Sequence, residues 1–398
     1  YFYIKGYYKL LEKTIMDIDI IRDYPTIESL RIKAKKNIPE FAFNYLDGGC
    51  NNEENLNRNI DDLKEIILEP RYLRNYKSCS TKTTLFGVEY DVPFGISPVG
   101  LQGLIWPNSS EILAKSALKH NIPFILSSVT TMDIEKTARL TDGNFWFQLY
   151  NPVDENLRKD ILNRAYDSGC KTLVVLADVP TFGYRAKEII SGLSMPPKLT
   201  LKNILQILGK PSWALNTLIY GQPSFKNLSP YIKKNISMSQ LGKFMNETFS
   251  GRINPDVIGP IREQWKGNLV LKGVSSIGDA KDAIEIGFDG IIISNHGGRQ
   301  LDVGNSSIKS LSNILKNTDS NKTEIMIDSG FRSGPDIARA LATGAKFVFM
   351  GRPFMYGTAA LGSKGGNHTI SILKKQFQQI MEQLCCEKIE DLPSFILK

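Results

Sequence analysis

From residue 93 onward, short apolar runs rich in Val, Ile, Leu and Phe alternate with longer stretches whose apolar positions recur at helical spacing. Eight of the short runs read as buried strands: 93–97, 123–127, 144–149, 172–177, 269–272, 290–294, 324–328 and 347–351. Amphipathic stretches such as 110–120 and 334–341 lie between them, and 26–60 reads as a helical N-terminal segment. Eight strand–helix units in series predict an α/β protein with a parallel (β/α)8 barrel, the TIM architecture, more readily than an open sheet. The unusual polar residues follow directly after the apolar runs, at the C-terminal strand ends where such barrels carry their sites.

One interval breaks this rhythm. About ninety residues separate the fourth run from the fifth, far more than a crossover helix requires. The pattern therefore predicts an insertion over roughly 186–255, within a single domain spanning 21–398. It contains Pro196-Pro197, Trp213 and Tyr220, and Thr200 is placed to cap a helix with Leu201, Ile204, Leu205 and Leu208 on one face. Between Ser191 and Asn246 there are Lys198, Lys202, Lys210, Lys226, Lys233, Lys234 and Lys243, and no Asp or Glu. A basic segment with an apolar face fits an anionic membrane surface, with contact through about 190–245. It equally fits a lid whose apolar face covers the barrel mouth.

Composition narrows the class. With 42% hydrophobic and 23% charged residues the chain has an ordinary globular make-up. Its net charge of +8 favours anionic ligands, but the charge is diffuse and no aromatic–basic stripe suggests nucleic acid. Five scattered cysteines argue against a disulfide framework and for a reducing, cytoplasmic setting. No zinc spacing is present, so no metal is expected. No apolar run reaches the ~18–20 residues of a membrane-spanning helix. The first fifteen residues carry neither an h-region nor a cleavage site, and the first methionine is Met16. Residues 1–20 are accordingly expected to be an extension that is not native to the fold.

The candidate chemistry centres on Ile-Ile-Ile-Ser-Asn-His-Gly-Gly-Arg-Gln-Leu-Asp, residues 291–302. A buried strand here delivers His296 and Arg299 to one strand end, in a chain with only three histidines. Asp178 ends the fourth strand, where a carboxylate could orient the imidazole, and Arg185 follows as a second guanidinium. Two planar forks suit a carboxylate, so the set describes a base beside an anion clamp. The plainer reading makes Asp178 a helix cap and pairs Arg185 with Glu188. Ile327-Asp328-Ser329-Gly330-Phe331-Arg332 and Met350-Gly351-Arg352-Pro353 follow strands seven and eight, the usual phosphate position in these barrels. Lys272, at the end of strand five, is suited either to a negatively charged cofactor ring or to a barrel ion pair. Tyr45 and Tyr150 are candidate donors to substrate oxygens, or simply core tyrosines.

With these residues in view, the chain resembles the FMN-dependent α-hydroxy-acid oxidising family of lactate and mandelate dehydrogenases and glycolate oxidases. The resemblance runs from about Tyr24 to Leu397, and Ser-Asn-His-Gly-Gly-Arg-Gln-Leu-Asp is its most specific motif. It implies His296 as the base, Asp178 as its orienting acid, and Arg185, Arg299, Tyr45 and Tyr150 around a small 2-hydroxy acid. It implies FMN as cofactor, held by the backbone of Pro98, Val99 and Gly100 and by Ser128, Gln148, Lys272 and Ser294. Asp328, Gly330, Arg332, Gly351 and Arg352 would form its phosphate end. The product would be a 2-oxo acid and the acceptor a membrane quinone. The expected assembly is a homo-oligomer, a tetramer, peripheral on the inner face of the cytoplasmic membrane.

The chain departs from the family pattern in three places. Ala177 stands where a threonine hydroxyl usually meets the flavin, a loss of ~0.5–1.5 kcal/mol. Val129 replaces the bulky tryptophan of glycolate oxidases and leaves room for a larger side chain. Asp-Ser-Gly-Phe-Arg, with the long insertion, is similar to the membrane-associated dehydrogenases. The rivals are an oxidase that passes electrons to O2 and a barrel that binds a phosphorylated ligand without redox turnover.

Overall fold

The computed structural model describes residues 20–193, 200–232, 244, 247–249, 252–319 and 323–397. All but the last residue of the expected 1–20 extension lies outside them, as do Pro196-Pro197, Lys198, Lys233, Lys234 and Lys243. An antiparallel hairpin, β1 (Thr83–Leu85) and β2 (Val88–Tyr90), precedes eight parallel strands. These are β3 (Phe94–Ile96), β4 (Ile125–Ser127), β5 (Trp146–Leu149), β6 (Thr172–Leu176), β7 (Asn268–Val274), β8 (Gly290–Ile293), β9 (Glu324–Ile327) and β10 (Phe347–Met350). Each pairs with its chain neighbour, β10 pairs with β3, and a bridge between Ile96 and Phe124 closes the ring between β3 and β4. The eight apolar runs of the sequence are these eight strands.

Strand alternation explains why the barrel is apolar below and polar above. Ile125, Trp146, Val270, Ile292 and Met326 face the axis and form an interior cluster with Phe347 and Phe349. Two residues further along the same strands, the period of two brings Ser127, Gln148, Lys272, Ser294 and Asp328 to the inner face at the C-terminal ends. Leu85, Phe86 and Tyr90 of the hairpin join the apolar cluster and plug the opposite end, with Phe86 5.6 Å from Trp146 and Tyr90 5.8 Å from Phe347 between ring centroids. The sequence pattern had not indicated this hairpin, because three-residue strands are too short to show an alternation.

The N-terminal segment supplies the near wall of the site. Helix Ile27–Asn37 starts at a reciprocal capping box between Thr26 and Ser29. Helix Glu40–Asp47 buries Phe41, Ala42, Phe43 and Leu46 and carries Tyr45 to the barrel mouth. It is pinned at Asp47, which accepts from both Arg31 Nε at 2.7 Å and Tyr356 Oη at 2.6 Å.

The insertion lies between β6 and β7. Thr200 caps helix Leu201–Leu208 by accepting from the Asn203 amide at 3.2 Å, as its position suggested. Much of the apolar face of that helix is turned outward: Leu201 and Leu205 are exposed, as are Leu215 and Ile219 of helix Pro211–Tyr220, while Leu208 and Leu218 are exposed at the rim of the barrel mouth. The inward side is fixed by Trp213, which packs edge-on against Phe41 at 5.9 Å and donates to the Leu104 and Ile105 carbonyls. The segment therefore roofs the barrel mouth with one side and presents leucines on the other.

Candidate active site

A single cavity of about 1570 Å³ occupies the barrel mouth beneath the insertion. That exceeds the roughly 300–1,000 Å³ typical of a small-ligand pocket, so it has room for a cofactor and a second molecule. His296 lines it. Its Nδ1 lies 3.0 Å from Asp178 Oδ1, which leaves the other ring nitrogen, Nε2, as the free lone pair when Nδ1 carries the hydrogen. The backbone at His296 is left-handed, with φ +59°, a conformation that costs a non-glycine residue ~1–2 kcal/mol. Its amide is held there by the Ser294 hydroxyl at 3.1 Å. Asp178 is admitted close to β7 because Gly273 lacks a side chain; a Cβ there would meet Asp178 at 2.6 Å. Gly273 also sits at the register shift in β7, with φ +100°.

The two arginines meet as the sequence suggested, and they share a partner. Arg299 donates from Nη1 to the carbonyls of Tyr45 and Gly48 and from Nη2 to Glu188 Oε1 at 2.7 Å. Arg185 Nη1 is 3.5 Å from the same oxygen. The paired reading of Arg185 with Glu188 and the anchoring reading are thus both compatible with one geometry. Burial pushes the Arg299 pKa down, the adjacent Arg185 adds to this, and Glu188 opposes it. Arg185 Nε is buried without a hydrogen-bond partner. Tyr45 lies under the Arg299 guanidinium at 5.0 Å, and Tyr150 lines the same space. Burial raises both phenol pKa values, so each keeps its proton; Tyr45 Oη donates it to the Gly100 carbonyl at 3.1 Å. Gln300 ties the two loops: Oε1 accepts from the Gly183 amide, and Nε2 donates to the carbonyls of Asp178 and Thr181. Sequence reading assigned no role to Gln300 and treated Glu188 only as a neighbour of Arg185, because a contact across 111 residues leaves no local signal.

Below the mouth, Lys272 is paired. Its Nζ is 2.8 Å from Asp328 Oδ2 and donates to Ser294 Oγ at 2.9 Å, with both charged side chains buried. Burial would lower the lysine's pKa, but the Asp328 and Asp178 carboxylates together outweigh it and raise it. Likewise burial would raise Asp328, and Lys272 holds it below the usual carboxylate range. Gln148 lines the cavity with Nε2 buried and unpartnered. Of the residues expected at the cofactor, Ser294 and Ser128 are not on the cavity wall. Ser128 Oγ accepts from the Tyr150 amide at 3.1 Å. Strand alternation puts the preceding serine inside instead, so Ser127 faces the cavity and donates to Gln148 Oε1 at 2.9 Å. Pro98, Val99 and Gly100 line the wall.

At the other end, Gly330, Arg332, Gly351 and Arg352 all border the cavity. Among the described residues, no carboxylate lies at ion-pair distance from Arg332 or Arg352. Arg352 donates to three backbone carbonyls, Leu46, Gly297 and Gly48, which use three of its five N–H groups. Burial, then repulsion from Arg332, lowers its pKa to about 9. Helix Arg352–Leu361 begins here, so its positive end lies beside the same space, although Pro353 in the first turn supplies no N–H. Two part-buried cations and a helix N-terminus without a counter-anion suit a phosphate. Among the described residues no cluster of His, Cys, Asp and Glu could hold a metal ion, and all five cysteines are free thiols.

Comparison with known proteins follows the same lines. The model of the family described as FMN-dependent dehydrogenase matches residues 34–398. An L-lactate dehydrogenase of Caulobacter sp. (strain K31) is 37% identical over 92% of this chain and 96% of its own length. One from Pseudomonas syringae pv. syringae (strain B728a) is 38% identical with the same coverage. Among solved structures, the monotopic membrane protein (S)-mandelate dehydrogenase superposes with a TM-score of 0.88 at 33% identity, covering 94% of this chain and 98% of that one. A mandelate oxidase with benzoyl-formic acid reaches 0.78 at 28% identity, over 93% and 97%.

Proposed function

Since this chain belongs to the FMN-dependent dehydrogenase family and is an FMN-dependent hydroxy-acid dehydrogenase, we propose that it oxidises an L-2-hydroxy acid of the L-lactate type to the 2-oxo acid. The observation that carries this reading is the His296–Asp178 pair opening on the same cavity as Arg185 and Arg299.

The residues fit FMN. Arg332, Arg352 and the first turn of helix Arg352–Leu361 suit its phosphate, and the unpartnered Gln148 Nε2 suits a ring carbonyl. Lys272, held in place by Asp328 and Ser294, suits negative charge near the ring. When bound, FMN supplies the acceptor for the electron pair that leaves the substrate's α-carbon.

The chain's own residues do the rest. Arg185 and Arg299 hold the carboxylate and Tyr150 donates to a substrate oxygen, with Tyr45 turning its hydroxyl from the Gly100 carbonyl to join it. These contacts fix the α-carbon relative to His296, whose Nε2 takes the proton. Asp178 keeps the imidazole in the competent tautomer and stabilises the imidazolium that results. Leu101 and Val129, from the barrel side, exclude water and leave space for an apolar substituent.

We further propose that electrons leave to a lipid-soluble quinone, and that residues 190–245 rest on the inner face of the cytoplasmic membrane. The outward leucines of the two insertion helices support this contact, and no helix among the described residues is long and apolar enough to cross a membrane. On this reading 21–398 acts as one unit, 186–255 is its lid and membrane face, and the assembly is a homotetramer. The test is anaerobic turnover of L-lactate with a soluble quinone analogue, set beside peroxide yield in air. Quinone reduction with little peroxide supports the proposal. Stoichiometric peroxide without quinone reduction makes it an oxidase.

A further inference from the structure

Glu188 touches both guanidiniums of the carboxylate anchor. Its Oε1 takes Arg299 Nη2 at 2.7 Å and lies 3.5 Å from Arg185 Nη1, and its side chain is 12% exposed on the cavity wall. Two cations buried side by side repel, so a carboxylate between them is structurally reasonable. It also sets a charge count. Arg185, Arg299 and Glu188 sum to one positive charge, which a monocarboxylate cancels. A dicarboxylate leaves one negative charge over, in a site screened from water.

Among the described residues lining the cavity, no free positive charge absorbs that surplus. Lys272 is already balanced by Asp328. Asp178, next to His296, is a further negative charge, with Oδ2 buried and unpartnered. Arg332 and Arg352 face the phosphate end, where a bound phosphate consumes them. The space beyond the anchor is apolar, with Leu101, Val129 and Phe249 on its walls.

We propose that Glu188 is a specificity-determining residue, which restricts the site to monocarboxylic 2-hydroxy acids by cancelling one of the two anchoring charges. This rests on the proposed function and names the substrate's charge class within it.

The experiment compares second-order rate constants for anaerobic flavin reduction by L-lactate and L-malate in the holoenzyme. Glu188→Gln keeps the shape and removes the charge, so the malate-to-lactate ratio rises by about tenfold or more, the scale of one nearby charge at an effective dielectric of ~20. Glu188→Asp keeps the wild-type ratio. A purely structural role would lower both substrates together and leave the ratio within twofold, which overturns the inference. A second arm needs no variant: wild type is given L-malate and its 4-amide, equal in size and one charge apart. The amide reduces the flavin at least about tenfold faster on this account, and equal rates overturn it. If no 2-hydroxy acid reduces the wild-type flavin, the proposed function itself falls, and this inference with it. Reduction by L-lactate with an unmoved ratio removes the charge count alone.

Discussion

Replacing Asp178 by asparagine leaves the side chain's size nearly unchanged and removes the charge beside His296. In the structure the two are joined by a 3.0 Å contact between Nδ1 and Oδ1, and the Asp178 side chain is 10% exposed. With charge centres ~4 Å apart and an effective dielectric of ~20, an imidazolium and this carboxylate attract by about 4 kcal/mol. That attraction is absent while the imidazole is neutral, so it favours the state after proton transfer and not the bound substrate. The amide can also present its NH2 to Nδ1, which selects the tautomer whose Nε2 already carries hydrogen. Both effects act in the same direction. The expected result is a fall of roughly 10²–10³ in the limiting rate of flavin reduction, with the apparent Kd for L-lactate within about threefold of wild type. Anaerobic stopped-flow absorbance over a series of L-lactate concentrations separates these two quantities. An Asp178→Asn holoenzyme whose limiting rate stays within tenfold of wild type refutes the reasoning.

Other perturbations test the surrounding structure. Lys272→Met strands Asp328 as a buried unpaired carboxylate and is expected to cost about 3–5 kcal/mol in urea unfolding; adding Asp328→Leu should recover most of that loss. Arg299→Lys forfeits the fork that reaches Tyr45, Gly48 and Glu188, and should raise KM for L-lactate roughly 10–100-fold in steady-state assays. At Asp47, burial would raise the pKa, but hydrogen bonds from Arg31 and Tyr356 hold it below the usual carboxylate range. Its stabilisation is then complete above the unfolded value near ~3.9 and disappears as the pH falls through the folded value. Asp47→Asn should therefore be less stable at neutral pH and flatten the decline of the urea midpoint in acid.

The barrel was legible because its strands are continuous apolar runs, and a parallel sheet covered on both faces requires such runs. His296, Asp178 and the glycine–arginine loops were legible because each follows a strand directly, and Arg185 because it stands in the loop that Asp178 opens. What the sequence concealed lies across the barrel or depends on register. Ser127 and Ser128 are chemically identical, and only the facing of β4 decides which enters the cavity. Lys272 could have partnered several strand-end acids; Asp328 is chosen because β7 and β9 flank β8, whose Ser294 lies between them. The hairpin plug was too short to show periodicity. For the insertion, helix and cap were readable from Thr200 and the leucine spacing, whereas the outward turn of that face depends on Trp213 reaching Leu104 and Ile105.

The central claim is that His296 takes the substrate's proton within a site that anchors the acid independently of it. His296→Ala protein, loaded with FMN and mixed anaerobically with L-lactate, tests this most directly. The account predicts flavin that stays oxidised on the wild-type time scale, slowed at least ~10²-fold as loss of a general base implies, while lactate still perturbs its spectrum by binding. Flavin that bleaches at the wild-type rate in the absence of this imidazole contradicts the account.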